Sequence, residues 1–382
     1  MIRRKVLIFS VPFGTGHNRA AEAIGKAFCQ IDPAIESSMV DSFSYATPVL
    51  GRFIAGTYME ILKISPRLYG FLYDKADRNF SKVGFNRVLH LLMSDKLDEL
   101  VRRESPEVVL CTHPFPLGVL SLLRKKGKLD APLVAVVTDF AIHKFWLYDN
   151  VDLFIVGVEE LKHSLMEQGV PENKIKVTGI PIDPAFQQLN DTRELHVKLG
   201  LNPDLPTVLV MGGGLGLGPL EQTVKTMLAV PKPLQIVVIA GKNAKLQQAL
   251  STLQVQQGQS VKVFGHVDNI HEFMEVADLV ITKPGGLTSA EALAKGLPLV
   301  LLEPIPGHEE RNLDFLTNTE VAVTSVDNGD IAGLVLEVLG EPDRIAKMGA
   351  SAKKIGKPTS AREVARVVVD LMSGTVVRGA KG

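Results

Sequence analysis

The sequence predicts an α/β protein with two doubly wound, Rossmann-like domains. Short runs rich in valine, isoleucine and leucine alternate with longer helical stretches, and the runs form two separate series. Unbroken apolar strands separated by helices are typical of parallel sheets that are covered on both faces. The length of 382 residues also favours two domains, and a hydrophobic content of 46% is sufficient for two cores.

The first series of apolar runs predicts the strands of an amino-terminal domain. These strands are Lys5–Ser10, Val108–Thr112, Leu133–Thr138 and Leu153–Val156. The strands of the second series are Thr207–Met211, Gln235–Ala240, Val261–Phe264, Leu279–Thr282 and Leu299–Leu302. The prolines of Gly179–Pro184 suit a hinge, which places the domains at residues 1–180 and 181–355. Ligands of such folds bind at the carboxyl ends of strands, so we expect the site in an interdomain cleft.

Composition narrows the possible functions. The 42 basic and 42 acidic residues balance, so global charge does not predict nucleic-acid binding. Two cysteines that lie far apart, Cys29 and Cys111, indicate a reduced cytosol and unpaired thiols. The sequence has no cysteine or histidine cluster with metal-ligand spacing, and no apolar run reaches the ~18 residues of a spanning helix. The first apolar run is short and ends at glycines, so we interpret it as a strand rather than a signal peptide.

The segment Lys283–Glu291 has the pattern of a glycine turn that follows a buried strand and opens a helix. Its two consecutive glycines remove side chains where the backbone must turn tightly. A helix amino terminus offers free amide donors and a positive dipole, which suit a diphosphate, and Thr288 and Ser289 add hydroxyl donors. Glu291 is placed to accept hydrogen bonds from a vicinal diol such as a ribose. A diphosphate and a diol together indicate a nucleotide-sugar.

The first predicted strand also ends in a glycine turn, Gly14–Gly16, and His17 opens the helix that follows. The helix dipole at that position favours the neutral imidazole. One interpretation is a general base that removes a proton from an acceptor hydroxyl. A capping or packing histidine fits the same spacing, so both interpretations stay open.

A dinucleotide-binding fold is an alternative for the two glycine turns. The first turn has no third glycine in register, although Asp41 stands where a ribose-binding carboxylate is needed. The turn Met211–Gly218 also misses the required spacing, and no lysine of the Walker type follows either turn. Gly212, Gly213 and Gly214 instead allow the backbone to approach a sugar or a phosphate closely. A tight strand-to-helix turn explains some of these glycines without a ligand.

Two further loops follow strands of the second domain, Phe264–Asn269 and Pro306–Asn312. In the first loop His266 is suited to stack on a base, and the backbone of Val267 is suited to pair with uracil. The second loop is rich in groups that hydrogen-bond sugar hydroxyls, although acidic residues are favoured at any solvated helix start. These polar groups are Glu309, Glu310 and Asn312.

The segment Thr138–Tyr148 gathers polar and aromatic residues at a strand end. Asp139 and His143 are placed to orient or deprotonate an acceptor. Phe145 and Trp146, the only tryptophan, suit an apolar acceptor channel. The same aromatic residues suit a core beneath a loop, and the sequence does not decide between the two.

Residues 41–103 lack clear strands and combine aromatic with basic side chains. From Arg52 to Lys96 there are eight basic residues, including Arg67, against four acidic ones. Apolar, aromatic and basic groups together suit docking on anionic lipid headgroups. An ordinary helical insertion with a solvated basic face has the same composition.

In their order and spacing, these motifs resemble those of the processive diacylglycerol glucosyltransferases and the plant-type monogalactosyldiacylglycerol synthases. The resemblance covers nearly the whole chain, and the bacterial lipid-linked N-acetylglucosaminyltransferase of peptidoglycan synthesis is similar more distantly. The segments that carry the resemblance are Gly14–His17, Thr138–Trp146, Val177–Ile182, Lys283–Glu291 and Pro306–Asn312.

The resemblance implies a GT-B fold and an inverting, metal-independent transfer from a UDP-sugar, with no cofactor. It places His17 at the acceptor hydroxyl and a carboxyl-terminal helix, within about residues 356–382, on the first domain. The predicted catalytic residues are His17 and Asp139. The predicted donor residues are Gly213, Gly214, His266, Val267, Lys283, Gly285, Gly286, Thr288, Ser289, Glu291, Glu309, Glu310 and Asn312. The predicted acceptor and membrane residues are Gly16, His143, Phe145, Trp146, Arg52 and Arg67.

The sequence departs from the family pattern at two positions, of which the first concerns stacking on uracil and the second leaves the donor sugar open. His266 stands where tyrosine or phenylalanine is usual, and His308 stands where the galactosyl enzymes often have glutamine. We expect an enzyme on the inner face of the cell membrane that transfers glucose or galactose from a UDP-sugar to diacylglycerol. The alternatives are a GT-B transferase for a polyprenyl or sterol acceptor, a nucleotide-sugar epimerase and a UDP-sugar sensor without turnover.

Overall fold

A computed structural model describes residues 4–11, 15–48, 84–216, 218–230, 232–325 and 330–374, with backbone alone for residues 84–92 and 308. The predicted positions Gly14, Arg52 and Arg67 lie outside the described residues. The strands are β1 (Arg4–Ser10), β2 (Ile35–Asp41), β3 (Val108–Cys111), β4 (Leu133–Val136), β5 (Leu153–Val156), β6 (Ile175–Val177), β7 (Thr207–Met211), β8 (Leu234–Ile239), β9 (Gln259–Phe264), β10 (Leu279–Thr282), β11 (Leu299–Leu301) and β12 (Ala322–Thr324).

The helices connect these strands in chain order. They are α1 (Gly16–Ile31), α2 (Ser42–Ala46), α3 (Gly84–Glu104), α4 (Pro114–Lys125), α5 (Glu159–Glu167), α6 (Thr192–Leu199), α7 (Leu220–Leu228), α8 (Ala244–Ser251), α9 (Ile270–Glu275), α10 (Gly286–Ala294), α11 (His308–Asn318), α12 (Ile331–Gly340), α13 (Pro342–Ile355) and α14 (Ser360–Met372). Short 3₁₀ turns lie at Lys144–Trp146, Glu172–Lys174 and Pro184–Gln187. Of the helices in the described part of the chain, none has the length and apolar character needed to cross a bilayer.

The described strands form two sheets in which every pairing is parallel. The first sheet has the order β2-β1-β3-β4-β5-β6, and the second has the order β12-β11-β10-β7-β8-β9. Each order reverses direction once, between β1 and β3 in the first sheet and between β7 and β10 in the second. Because crossovers between parallel strands are right-handed, such a reversal sends helices to both faces of a sheet. The prediction of two doubly wound parallel sheets is confirmed.

Three of these strands were not predicted by the apolar pattern, and all three lie at sheet edges. β2 is largely polar, and Met39 within it is 44% exposed. β6 and β12 have three residues each. An interior strand of a covered parallel sheet is buried on both faces and therefore reads as an unbroken apolar run, whereas an edge strand is partly solvated. Asp41, at the end of β2, accepts hydrogen bonds from the backbone N–H groups of Phe43 and Ser44 and so caps α2.

The described residues divide into two compact units. The first comprises residues up to Pro184 together with residues 306–308 and those from Thr359 onward. The second comprises residues 185–305 and 309–358. Within the first unit α14 packs against α1, and the N–H of Ile182 donates to Ser360 Oγ at 3.2 Å.

Both faces of the first sheet are covered. Phe28 of α1 and Val364 of α14 share a core with Val6 and Ile8 of β1, and all four side chains are buried. Residues of β1 that alternate with Val6 and Ile8 point to the opposite face of the sheet, and α4 contacts β1. One of these residues, Phe9, is fully buried. Burial of one large apolar side chain contributes about 1.5–3 kcal/mol, so both faces of β1 contribute to the stability of this unit.

The second sheet is built in the same way. Val208 and Val210 of β7 share a core with Leu220 of α7 and Val335 of α12. Leu209, which points to the opposite face of β7, is also fully buried. The central strands of both sheets are therefore rigid supports for the loops at their carboxyl ends.

A buried carboxylate ties α3 to the segment after α4 in the first unit. Asp98 accepts hydrogen bonds from Arg102 Nε at 2.8 Å and from Lys128 Nζ at 2.8 Å. Burial acts to raise the pKa of the Asp98 carboxyl, but the hydrogen bonds from Lys128 and Arg102 outweigh burial and hold that pKa below its usual range.

We predict that Asp98→Asn lowers the free energy of unfolding at pH 7 by about 1 kcal/mol, the scale of a partly solvated ion pair. Because the folded-state pKa is depressed, the stabilisation is complete above the ordinary aspartate pKa and is lost as the pH falls through the lowered value. Urea denaturation should therefore show a difference in unfolding free energy between the wild type and Asp98→Asn that is smaller at about pH 3 than at pH 7. Asp95→Asn, an exposed position on the same helix, is the matched control. An Asp98→Asn difference of equal size at both pH values would contradict the prediction.

Candidate active site

His17 lies where the strand order of the first sheet reverses. It stands in the first turn of α1, which follows β1, while Thr112 and His113 directly follow β3. β1 and β3 are neighbours in the sheet, so their carboxyl ends meet at this edge. The point of reversal is where ligands bind in doubly wound folds, because the connecting helices leave on opposite faces.

Two oxygen atoms contact the imidazole of His17 at Nδ1. Nδ1 lies 3.0 Å from the backbone oxygen of Thr112 and 2.7 Å from Thr138 Oγ1. A carbonyl oxygen accepts hydrogen bonds only, so in the neutral ring Nδ1 carries the proton and donates it to Thr112. Nε2 is then the basic nitrogen, which is the form that a general base requires.

His17 also contacts a second histidine. The rings of His17 and His113 meet edge to face, with 4.7 Å between their centroids. The side chain of His113 caps α4 by accepting a hydrogen bond from the backbone N–H of Phe115 at 3.1 Å. His113 is therefore fixed by the helix that follows it, and it supports one side of the His17 ring.

The contacts of Thr112 and Thr138 with His17 were not assigned by sequence reasoning. The sequence singled out Asp139, one residue after Thr138, as the group that orients the acceptor. Asp139 is 7% exposed, and its predicted role stays a prediction. A signal was available for Thr138, since it is the first polar residue after the apolar run of β4 and therefore lies at the same sheet edge as His17.

The aromatic residues after β4 surround His143. The rings of His143 and Phe145 are 5.2 Å apart, and those of His143 and Trp146 are 6.3 Å apart. Trp146 is fully buried and lies in a 3₁₀ turn that contacts α4, whereas Phe145 is partly exposed. Trp146 thus packs as a core residue in this structure, and the acceptor channel stays a prediction.

Burial raises the pKa of the Cys111 thiol well above its usual value, so Cys111 is protonated and is a poor nucleophile.

The second sheet presents a comparable point of reversal, between β7 and β10. The loop after β7 turns back on itself: the N–H of Gly216 donates to the carbonyl of Gly213 at 3.0 Å, and Gly213 has φ +69°. The segment after β8 holds the loop in place, because the N–H of Lys242 donates to Gly214 at 3.2 Å and Asn243 Nδ2 donates to Gly216 at 3.1 Å. Close packing at this point requires a glycine at 241, where a Cβ would lie 2.6 Å from the Gly214 oxygen.

The amino terminus of α10 faces the same edge and has the features of an anion site. Gly285 is the N-cap residue and has no side chain to cap the first amides of the helix. Ser289 Oγ and Thr282 Oγ1 are buried and have no hydrogen-bond partner among the described residues. A buried hydroxyl without a partner is costly, and both residues lie within four positions of the N-cap Gly285, so their hydroxyls are candidates to donate to an anionic ligand.

The loops after β10 and β11 are joined by polar contacts. Asn312 is fully buried and its Nδ2 donates to the carbonyl of Pro284 at 3.1 Å. Lys283 forms an ion pair with Glu309, which is itself buried. Glu291 is 1% exposed within α10, whereas Glu310 is exposed. The structure thus brings together most of the donor residues predicted from sequence, and their individual roles stay predictions.

The predicted base-binding residues follow β9, at the edge of the second sheet. The side chain of His266 is 53% exposed, and its Nε2 lies 3.6 Å from Asp268 Oδ1. Val267 is partly exposed. Their contacts with a base stay predictions. In the described part of the chain there is no group of three or more His, Cys, Asp and Glu residues that could hold a metal ion.

Comparison with known proteins identifies the family. Residues 17–182 match the family model for monogalactosyldiacylglycerol (MGDG) synthase, and residues 207–354 match that for the glycosyltransferase family 28 C-terminal domain. A processive diacylglycerol beta-glucosyltransferase from Bacillus pumilus is 30% identical over 96% of this chain and 95% of its own. The protein of the same name from Bacillus mycoides is 31% identical over 96% and 93%. This chain belongs to that glycosyltransferase family. The family resemblance seen in the sequence is confirmed.

Solved structures of more distant proteins share the fold. MurG from Acinetobacter baumannii has a TM-score of 0.60 at 14% identity, covering 96% of this chain and 99% of its own. The S. aureus MnaA–UDP co-structure has a TM-score of 0.63 at 13% identity, covering 97% of each chain. At such identities the likeness shows the fold alone, and that fold is the GT-B fold predicted from the sequence.

For this glycosyltransferase we predict that Thr138→Val lowers kcat about fivefold to tenfold, the scale of one neutral hydrogen bond. The reason is that valine keeps the shape of threonine but removes the oxygen beside His17 Nδ1. The KM for the glycosyl donor should not change. Steady-state kinetics measure both quantities, with Thr178→Val, a buried threonine at another strand end of the same unit, as control. A raised donor KM with normal kcat would contradict the role of Thr138.

We predict that Gly241→Ala weakens donor binding about tenfold, because the new methyl group displaces Gly213 and Gly214. Gly258→Ala is the control, since Gly258 also has a positive φ but a Cβ there meets only ordinary contacts with Pro233. Donor affinity is measured by calorimetry and folding by thermal denaturation. Equal donor affinity in the two variants would show that the loop after β7 does not bind the donor.

Proposed function

We propose that this chain transfers a hexose from a UDP-sugar to diacylglycerol, with inversion at the anomeric carbon and without a metal or other cofactor. The observation that supports it best is the candidate anion site at α10, an uncapped helix amino terminus with two buried hydroxyls that lack partners in the described part of the chain. The acceptor is supported by the relatives, which are named as diacylglycerol glucosyltransferases. The uridine nucleotide is supported by a structural neighbour solved with UDP.

In this proposal the donor lies along the carboxyl edge of the second sheet. The first amides of α10 and the hydroxyl of Ser289 bind the diphosphate, and Glu291 accepts hydrogen bonds from the ribose hydroxyls. The amides of a helix amino terminus carry about half a positive charge, which stabilises the extra negative charge on the departing UDP. These groups are fixed before the reaction, so they need not reorganise as the charge develops.

In the first unit His17 Nε2 removes the proton from the diacylglycerol hydroxyl. The oxygen then attacks the anomeric carbon from the face opposite the diphosphate, and the bond between that carbon and the phosphate oxygen breaks. The electron pair of the broken bond leaves with UDP, and the proton stays on the imidazolium. Thr112 and Thr138 keep Nε2 as the basic nitrogen by holding Nδ1.

Glucose is the donor sugar that we propose. The relatives that match along nearly the whole chain are named as glucosyltransferases. The match to the MGDG synthase model covers residues 17–182, which hold His17 and its supports. That match therefore bears on the acceptor half of the reaction more than on the sugar.

We also propose that the enzyme acts at the inner face of the cell membrane, because its acceptor is a lipid. Within the described residues the end of α4 carries the exposed side chains of Lys125 and Lys126. Exposed lysines beside a bilayer are attracted to anionic headgroups by about 1 kcal/mol each. The basic residues between Arg52 and Lys82 lie in a segment outside the described residues.

The test is UDP release from UDP-glucose and from UDP-galactose, each with and without diacylglycerol in anionic vesicles, with lipid products resolved by mass. We expect release that depends on the lipid and is faster with UDP-glucose. His17→Ala should reduce turnover by a factor of about 10²–10⁴, the contribution of a general base, while UDP affinity stays unchanged. His163→Ala, an exposed histidine of the same unit, is the matched control.

Each alternative function gives a different result in this assay. UDP binding without release would indicate a sensor. Conversion of the sugar without any lipid product would indicate an epimerase. Release that responds to a polyprenyl or sterol acceptor but not to diacylglycerol would identify a different transferase, and faster release from UDP-galactose would overturn the proposed sugar.

A further inference from the structure

Lys283 places a cation at the amino terminus of a helix. It follows β10 directly and is separated from α10 by two residues, Pro284 and Gly285. A Cβ on Gly285 would lie 4.0 Å from its Nζ, and a Cβ on Gly213 would lie 3.7 Å from its Cε. The lysine side chain therefore extends between the N-cap of α10 and the glycine loop after β7. It is 20% exposed, so it is largely withdrawn from water.

This position is electrostatically unfavourable for a lysine on its own. The amino end of a helix carries partial positive charge, and a cation there is destabilised by about 0.3–1 kcal/mol. Partial burial adds a desolvation cost. A lysine in such a place requires an anion close by, and the structure shows one such anion in Glu309.

Both carboxylate oxygens of Glu309 are engaged by protein groups. Oε1 pairs with Lys283 Nζ, and Oε2 accepts a hydrogen bond from the N–H of Ile305 at 2.9 Å. The residue is 1% exposed. A buried carboxylate fixed at both oxygens is suited to hold a partner in place.

The ammonium group of Lys283 has N–H donors that Glu309 does not use. An ammonium group has three N–H donors, and one carboxylate oxygen takes one of them. Among the described residues no other acceptor contacts Lys283 Nζ. Lys283 Nζ lies beside the N-cap of α10, whose first amides have no side-chain cap. These unused N–H donors suit a ligand that accepts several hydrogen bonds, such as a diphosphate.

We propose that Lys283 binds the β-phosphate of the donor and that Glu309 is the positioning residue that holds it there. The inference rests on the proposed function, since it assumes a UDP-sugar donor. As the bond to the anomeric carbon breaks, its electron pair moves onto the β-phosphate oxygen, and Lys283 donates a hydrogen bond to that oxygen. The lysine keeps its proton throughout. It supplies next to the leaving group the positive charge that a divalent cation supplies in metal-dependent transfer.

The test compares UDP, UMP and UDP-glucose as ligands in calorimetry of the full-length protein. Lys283→Met should weaken UDP binding about tenfold or more, the scale of a charge-assisted hydrogen bond, and UMP binding less than about threefold. UMP is the informative ligand because it lacks the β-phosphate. Lys283→Arg keeps the charge and should retain UDP affinity to within about threefold, which shows that the site still folds.

The variant Glu309→Gln tests whether Glu309 positions Lys283 or contacts the sugar of the donor. We expect it to weaken UDP and UDP-glucose by the same factor, and to have no further effect in the Lys283→Met background, because its effect passes through the lysine. The control pair is Lys225→Met and Glu221→Gln, which removes an exposed ion pair on α7 in the same unit. The control variants should bind all three ligands as the wild type does.

Several results would overturn the inference. Unchanged UDP affinity in Lys283→Met, with normal UDP binding by the wild type, would overturn it and leave the proposed function standing. Equal losses of UDP and UMP affinity would place Lys283 away from the β-phosphate. A Glu309→Gln effect confined to UDP-glucose would make Glu309 a sugar contact. Failure of the wild type to bind UDP would overturn the proposed donor and this inference together.

Discussion

The reversal of strand order in each all-parallel sheet is the constraint on which the rest of the structure depends. β1 and β3 in the first sheet, and β7 and β10 in the second, are neighbours whose following segments leave toward opposite faces. The carboxyl ends of such a pair are therefore not covered by a crossing helix. His17 stands at one of these openings and Lys283 at the other, so the topology of each sheet selects where the chemistry-bearing residues lie.

The openings are stabilised by backbone groups as much as by side chains. The carbonyl of Thr112 determines which nitrogen of His17 carries the proton. The glycine loop after β7 is held by the N–H of Lys242 and packs against Gly241 at a distance that excludes a side chain. Backbone groups at strand ends are positioned by the sheet itself, whose core is buried on both faces. A site supported in this way is rigid before any ligand binds.

The two openings differ in their electrostatics. At α10 the uncapped amides and Lys283 offer N–H donors, and two buried hydroxyls nearby in sequence have no partner among the described residues, which suits an anionic ligand. At His17 the contacts with Thr112, Thr138 and His113 orient one imidazole. The difference matches the two halves of a transfer reaction, in which a diphosphate is bound as an anion and a hydroxyl group has to lose its proton.

The amino-acid pattern by itself determined the interior strands, the glycine turns and the family, because residues buried on both faces of a sheet must be apolar and turns of high curvature require glycine. It did not reveal the edge strands β2, β6 and β12, which are polar or short. It identified His17 and Glu309 as polar residues after strands, yet it did not show what they contact. The contact of Thr138 with His17 and the pairing of Glu309 with Lys283 were decided only by the tertiary structure. Such contacts join loops that are far apart in sequence, and the distance between those loops depends on strand order rather than on local composition.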